Sequence, residues 1–400
     1  MKAVILAAGE GSRMRPLTYA RPKVMLPIAN KPILEHLLIQ AREAGITEFI
    51  FIVGYFDEQV RGYFGDGKKW GVHIEYCNQR KQRGTADALG QAAGLINDRC
   101  LMINGDIIVG QEDIRSLTKI TNNTLSLIET QDTRELGAVE LDADRVVRIY
   151  EKTSGLHFTT ANAGLYLFTP DIFDAISQTP KSPRGEYEIT SSLQLKIDKG
   201  ERVSYHQINS WLDFSYPWDL LEANESLLSE TESQNLGEVE DNVTLKGKVS
   251  IGKNSTIKSG SYIVGPVVIG QDCDIGPNCY IRPGTSIGNN CHIGSAVEVK
   301  NSIIMKGSNI PHHNYVGDSI IGEGCNFGAG AKIANLRLDK KSIEMDHIDT
   351  KRRKLGAIIG DGVQIGINAC INVGSIIGNN TLIGPGATVS GVILPDSKIL

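Results

Sequence analysis

Two sets of residues in this 400-residue chain have the types and spacing that chemistry requires. The first follows the apolar start Met1-Lys2-Ala3-Val4-Ile5-Leu6-Ala7-Ala8, which breaks into Gly9-Glu10-Gly11-Ser12-Arg13-Met14-Arg15-Pro16 and then Arg21-Pro22-Lys23 and Lys31-Pro32. Glycines let backbone N–H groups approach phosphate oxygens, and Arg13 and Lys23 supply charge. Two common phosphate loops are excluded: Met14 stands where the dinucleotide fingerprint needs Gly, and there is no Gly-Lys-Ser/Thr. Asn104-Gly105-Asp106 ends an apolar run, the usual position of a functional carboxylate in an open α/β sheet. The second set, Pro311-His312-His313-Asn314-Tyr315, interrupts an otherwise regular repeat. Irregularity in a repeat often marks function.

That repeat is the clearest positional signal. From Leu245 an aliphatic residue recurs every six positions through Ile251, Ile257, Ile263, Ile269, Ile275, Ile281, Ile287, Ile293, Val299 and Met305, and again from Ile359 to Val389. A six-residue period is neither helical nor a simple strand alternation; it marks a three-sided β-solenoid with an aliphatic residue inward on each side. Three hexapeptides make a coil, so residues 18 apart should stack. After Met305 the inward residue comes one place early at Ile310, and again at Ile321, which puts two deletions around Pro311–Tyr315. Residues 336–355 are too long for a corner and predict a loop thrown out of the prism; its Lys351-Arg352-Arg353-Lys354 run reads first as a solvated face.

The N-terminal part alternates strand and helix. Lys2–Ala8, Glu48–Val53, Val72–Cys77 and Cys100–Asn104 read as strands buried on both faces, with helices at Lys31–Ala44 and Thr85–Ile96 between them. This predicts an α/β doubly wound, mostly parallel sheet. Later segments around Leu125–Thr130, Ala138–Leu141, Val146–Glu151 and Gly164–Phe168 add strands of hairpin character. A helix at Pro217–Leu228 and the polar Ser229–Gln234 lead to a junction near residue 235, dividing the chain into 1–234 and 235–400.

Net charge −5 and pI near 6.0 argue against nucleic acid or membrane as the main partner. No apolar run approaches the ~20 residues of a spanning helix, and the apolar start reads as a buried strand rather than a signal peptide. Seven Cys with no Cys-x-x-Cys fit a reducing cytoplasm and no zinc site. Cys273 and Cys291, 18 apart, are expected to stack as small residues rather than to form a disulfide.

A lone Gly-x-Gly could be a tight turn, but the whole string from Leu6 to Pro16 with Pro22-Lys23 and Lys31-Pro32 resembles the sugar-1-phosphate nucleotidylyltransferases. The resemblance implies a Rossmann-like domain in which Ala8, Gly9, Gly11, Arg13, Gln79 and Gly84 hold the nucleotide. Thr85, Gly137, Glu151, Lys152 and Asn162 would hold the sugar phosphate, and Asp106 and Asp213 the Mg²⁺. A sugar-1-phosphate oxygen would attack the α-phosphorus in line and release pyrophosphate. Lys23 would bridge the α-phosphate and the sugar phosphate, and Arg13 would hold the leaving pyrophosphate. No covalent residue is needed, because catalysis is positioning and charge neutralisation.

Beyond residue 240, Arg282-Pro283-Gly284, Val297-Glu298-Val299-Lys300, His312-x-x-Tyr315-x-Gly317-Asp318, Asn326-x-Gly328-Ala329-Gly330 and Asn335 resemble the acetyltransferase half of bifunctional amino-sugar-1-phosphate acetyltransferase/uridylyltransferases, above all the archaeal branch. This implies a C-terminal left-handed parallel β-helix of hexapeptide repeats, a homotrimer, and UTP and acetyl-CoA as co-substrates. His312 would be the general base, since imidazole titrates near neutrality and suits deprotonation of the attacking amine. Arg282, Lys300, Tyr315, Asn326, Asn335 and Lys341 would bind the sugar phosphate, and Ala329 and Ala387 the coenzyme. The chain departs from the bacterial pattern at Ile367, where a Ser is usual, and at Asp213, which resembles the metal ligand of thymidylyltransferases. One alternative is a monofunctional glucose- or mannose-1-phosphate enzyme with a structural β-helix. A non-catalytic regulatory subunit of the same folds is a second, opposed by the intact Arg13, Lys23, Asp106 and Asp213.

Overall fold

A computed structural model describes residues 1–130, 136–151 and 158–400. The chain divides into two compact units. One comprises 1–10, 21–25 and 33–213; the other comprises 11–20, 26–32 and 214–400.

The first unit is built on a mixed sheet. Lys2–Ala7 lies between Cys100–Asn104 and Glu48–Val53, and His73–Asn78 follows outside Glu48–Val53, all parallel. Thr160–Phe168 then pairs antiparallel with Cys100–Asn104, and its other neighbours, Thr124–Glu129 and Ala138–Asp142, continue the antiparallel half. The apolar runs alternate between two cores. Ala3, Ile5, Phe49 and Phe51 join one with Leu34, Leu37 and Leu38 of the helix Ile33–Glu43. Val4, Ile50 and Ile52 join the other with Ala86 and Leu89 of the helix Thr85–Gly90. A strand that feeds cores on both faces has no polar side to show, which is why these runs read as continuous.

Two expected helices are shorter than their apolar patterns. The first starts at Ile33 because Lys31–Pro32 pairs with Pro27–Ile28 as a two-residue ladder. It ends where Gly45, at φ 100°, lets Ile46 N–H reach back to Ala41. The second gives way after Gly90 to a 3₁₀ turn at Ala93–Leu95, since Gly90 and Gly94 weaken the α-helix.

The second unit is a left-handed β-helix of three parallel sheets. One inward column runs Ile251, Ile269, Ile287, Ile304, Ile321, Ile359, Ile377 and Ile393, each paired with the next. Each fully buried aliphatic chain contributes roughly 1.5–3 kcal/mol, so the column is a main source of the prism's stability. All seven cysteines are free thiols, and Cys273 and Cys291 sit buried with Sγ–H donated to backbone carbonyls.

The rhythm breaks differently from expectation at one point. Ile304, not Met305, continues the inward column, so the first deletion lies at Lys300–Ser302 and the second at Gly317–Ser319. Both occupy the same corner of the prism in successive coils. Ile303, Ile304 and Met305 are equally apolar, and stacking on Ile287 and Ile321 selects the middle one. Residues 336–355 leave the prism as expected but carry a hairpin, Glu344–Met345 with Ile348–Asp349, and bury Ile343, Met345 and Leu355.

Candidate active sites

In the first unit, three of the expected residues converge at the C-terminal end of the parallel strands. Gly105 N–H donates to Leu6 carbonyl at 2.9 Å, which draws the Asn104–Asp106 turn against the end of the first strand. A Cβ on Gly105 would stand 2.4 Å from that oxygen, so no side chain fits. Lys23, mostly buried, reaches across and donates Nζ–H to Asp106 Oδ2 at 2.9 Å. Trp211–Asp213 pairs antiparallel with Ile107–Val109, and Asp213 lies opposite Ile107, the neighbour of Asp106. Trp211 Nε1–H donates to Ala163 carbonyl at 2.9 Å and anchors that short strand. Two carboxylates and an ammonium thus share one end of the sheet. No group of three or more His, Cys, Asp or Glu side chains able to hold a metal occurs among the described residues. The donor set fits a hard cation that takes its remaining oxygens from phosphates and water.

The loops around that edge are partly self-satisfied. Gln79 is buried and donates Nε2–H to Gly84 carbonyl at 3.0 Å and to Asp87 at 2.9 Å, bracing the turn rather than facing outward with its amide nitrogen. Gly84 has φ 112°, and a Cβ there would meet Tyr187 O at 2.4 Å. Thr85 Oγ1 accepts from Ile189 N–H at 2.9 Å. Gly9 contrasts with Gly84: a Cβ at Gly9 would meet nothing within 4 Å, so packing inside the chain does not explain it. Ala8 carbonyl accepts from Tyr55 N–H and from Gln82 Nε2–H, the latter at 2.9 Å.

Gly137, Glu151 and Asn162 come together as expected. Asn162 N–H donates to Gly137 carbonyl at 2.8 Å, and a Cβ on Gly137 would lie 3.4 Å from Glu151 Oε2. Thr190 donates to that same Glu151 oxygen at 2.9 Å. Lys152 lies outside the described residues. Arg184 was missed from the sequence: its guanidinium is 2.5 Å from Glu188 and 3.6 Å from Glu151. No motif announces it, because only the folding of 182–188 on itself and against Arg83–Ala86 brings it there.

Gly11 and Arg13 belong to the second unit. Gly11 has φ 72°, and the exposed Arg13 guanidinium lies over the Tyr216 ring at 5.8 Å.

The acetyl-transfer candidates gather on one face and one edge of the prism. On one sheet, Tyr280, Glu298, Tyr315 and Lys332 stack outward in register. Arg282 donates to Glu298 at 2.9 Å, and that hydrogen bond holds its guanidinium pKa above the ordinary value. Asn335 donates Nδ2–H to Tyr315 hydroxyl at 3.1 Å and to Asp318 Oδ2 at 2.5 Å. Burial raises the Tyr315 phenol pKa, with Glu298 and Asp318 adding to it, so the hydroxyl stays protonated. Lys300 Nζ binds both oxygens of the buried Asp318, at 3.0 and 2.8 Å. Lys332, which the sequence did not single out, occupies the next position of the Tyr315 ladder.

His312 is exposed at the corner that enters this face, and its carbonyl accepts from Gly330 N–H at 3.0 Å, so Ala329-Gly330 lies in the next corner of the stack. Asn368 N–H donates to Ala329 carbonyl at 2.9 Å, which puts Ile367, 53% exposed, directly after Ala329 along that edge. Ala387 lies a further coil along. Asn326 stands on the adjoining sheet between Asn309 and Gln364, around the corner from Tyr315. Lys341 is exposed on the excursion 336–355.

Residues 2–230 match the nucleotidyl transferase family. Residues 263–376 match the GMPPB C-terminal domain, and 374–397 the hexapeptide repeat of succinyl-transferase. The chain is 41% identical to "Bifunctional protein GlmU" of Methanococcus maripaludis, over 100% of this chain and 97% of that protein. It is 40% identical to "Bifunctional sugar-1-phosphate nucleotidylyltransferase/acetyltransferase" of Sulfurisphaera tokodaii, over 98% and 97% of the two chains. A crystal structure described as a putative glucose-1-phosphate thymidylyltransferase from Bacillus anthracis, in complex with a sucrose, superposes with a TM-score of 0.53 at 28% identity. It covers 59% of this chain and 98% of that one. No helix among the described residues is long and apolar enough to cross a membrane. With a nucleotidyl transferase match over more than half its length and relatives 40–41% identical over alignments that span nearly the whole chain, the chain belongs to the bifunctional sugar-1-phosphate nucleotidylyltransferase/acetyltransferase family of enzymes.

Proposed function

We propose that the chain acetylates glucosamine-1-phosphate, and galactosamine-1-phosphate as a second acceptor, from acetyl-CoA, and then couples the N-acetylated sugar phosphate to UTP with release of pyrophosphate. The observation that carries this reading is end-to-end identity to bifunctional relatives on a chain with two separate polar clusters, Lys23–Asp106–Asp213 and Tyr315–Asn335–Asp318–Lys300. We assign 1–234 to uridylyl transfer and 235–400 to acetyl transfer and to trimer formation in the cytoplasm.

In uridylyl transfer, Lys23 exchanges Asp106 for phosphate oxygens of the nucleotide and sugar, and Gly9 and Gly11 amides cradle the triphosphate. Arg13 takes charge on the leaving pyrophosphate. Asp106 and Asp213 hold Mg²⁺, which when bound neutralises phosphate charge. Gly137, Glu151 and Asn162 orient the sugar. In acetyl transfer, His312 removes the amine proton as nitrogen attacks the thioester carbonyl; the C–N bond forms, the C–S bond breaks and free coenzyme A leaves as thiol. Arg282, Lys300 and Lys341 meet the sugar phosphate, while Tyr315 and Asn335 order its hydroxyls. Asn326 approaches from the adjoining face, and Ala329 and Ala387 line the coenzyme side.

The test is free-thiol release from acetyl-CoA with each amino-sugar phosphate and no nucleotide present, repeated with His312→Ala. The match to the GMPPB C-terminal domain favours a second reading, a nucleotidylyltransferase whose β-helix is only a scaffold. Nucleotide-sugar synthesis without any thiol release would establish that reading instead.

A further inference from the structure

The two shortened coils and the helix Asp219–Glu230 share one cluster of side chains. Both coils lose their residue in the same corner, and Asn301 and Asp318 occupy those corners in the left-handed region, at φ 45° and 49°. The helix docks there through consecutive residues. Asn224, fully buried, donates to Gly284 carbonyl at 2.8 Å, and Glu225 accepts from Asn301 Nδ2 at 2.7 Å. The Asn301 amide has two N–H groups, and the second goes to Asp318 Oδ1 at 2.9 Å. Its carbonyl oxygen is buried without a partner, so the two carboxylates alone set the amide's orientation. Asp318 in turn clamps Lys300 and receives Asn335.

Glu225 has a second partner. Arg352 Nη2 lies 3.3 Å from the same oxygen, and Arg352 carbonyl accepts from Ile343 N–H at 2.9 Å. That bond braces the excursion 336–355, which carries Lys341. A single carboxylate on the helix therefore supports the neighbours of both lysines.

We propose that Glu225 is a positioning residue for amino-sugar-phosphate binding, acting through Asn301 and Asp318 on Lys300 and through Arg352 on the segment that bears Lys341. The inference rests on the acetyl-transfer reading given above. Flipping Asn301 would press its carbonyl against both carboxylates, so Glu225 and Asp318 together fix the amide, and Glu225 supplies the outer of the two constraints. Truncating Glu225 leaves the outer Asn301 hydrogen unmatched, frees Arg352 and lets Asp318 turn with its lysine. Fold loss is not expected, because Asn224 still anchors the helix and the Glu225 side chain is 46% exposed.

The experiment is steady-state thiol release by the full chain carrying Glu225→Ala or Glu225→Gln. Loss of a hydrogen bond to a charged group corresponds to about tenfold in affinity. Glu225→Ala is expected to raise KM for glucosamine-1-phosphate about tenfold, with kcat, KM for acetyl-CoA and pyrophosphate release unchanged. Glu225→Gln keeps an acceptor for Asn301 and should recover part of that loss. An active wild type with an unmoved KM in Glu225→Ala overturns the proposal alone, as does a uniform fall of every parameter together with the melting temperature. A wild type that releases no thiol overturns the acetyl-transfer reading, and this proposal with it.

Discussion

Lys23 and Asp106, 83 residues apart in sequence, meet at 2.9 Å at the end of the parallel strands, with Asp213 held alongside by the pairing of Trp211–Asp213 with Ile107–Val109. As the lysine's resting partner and the proposed cation ligand, Asp106 should tolerate no truncation. Asp106→Ala is expected to lower pyrophosphate release by on the order of 10²–10³-fold, the scale of lost electrostatic stabilisation in such sites. Thiol release should be unaffected. Pyrophosphate release at the wild-type rate would remove Asp106 from the site.

Chelation separates the two chemistries without mutation. Among the described residues no third His, Cys, Asp or Glu completes a metal-holding group, so a cation at Asp106 and Asp213 would take its further oxygens from the nucleotide and be weakly held. EDTA should abolish pyrophosphate release and spare thiol release, and added Mg²⁺ should restore the first. Equal inhibition of both would contradict the assignment of the metal to one site.

His312→Ala should eliminate thiol release, a loss of at least ~10²-fold for a general base, while nucleotide-sugar synthesis from N-acetylglucosamine-1-phosphate continues. His313→Ala is the control, since His313 stands at φ 52° and turns the corner. Thiol release lost in His313→Ala and retained in His312→Ala would mean that the base has been assigned to the wrong ring.

Gly84 links function to fold. At φ 112° with Tyr187 O where a Cβ would sit, Gly84→Ala should cost on the order of 1–3 kcal/mol. For a unit of this size that is a fall of several degrees in the first melting transition. Gly9→Ala, with open space around it, should leave melting unchanged and reduce nucleotide binding instead. Calorimetry and nucleotide titration of the same two variants separate packing from phosphate approach.

One ion-pair cluster predicts a pH response. Lys196 is nearly buried; burial by itself would lower its pKa, but hydrogen bonds to Asp171 and Glu201 outweigh that and the net shift is upward. For Asp171, burial raises and hydrogen bonds from Lys196, Thr169 and Asn123 lower, with a net downward shift. The Asp171 contribution is therefore present above its ordinary pKa and fades as pH falls through the depressed value. The Lys196 contribution is present below its ordinary pKa and fades as pH rises through the raised one. Lys196→Met should lower the melting temperature at pH 7 and flatten its decline as the pH falls below the ordinary aspartate range. A parallel acid limb in both proteins would show that the pair does not couple to folding.

The hexapeptide column was legible because its signal is local and redundant: each isoleucine faces the same axis whatever its neighbours are. The β/α alternation was legible for a similar reason, since strands serving two cores leave no polar face. The Asn104–Asp106 turn could be placed at the end of a strand because a strand and the loop that follows it are adjacent in sequence. Other features depend on pairs that no local pattern records. Among Ile303, Ile304 and Met305, only the coils above and below choose the inward residue. Asn301 and Glu225, 76 positions apart, become partners only when the helix lies against a shortened corner. Residue types and their period thus determined the sheets, the prism and most of the polar inventory. Tertiary packing decided which polar groups face each other, because hydrogen bonds act over about 3 Å and periodicity does not place side chains from distant segments to that accuracy.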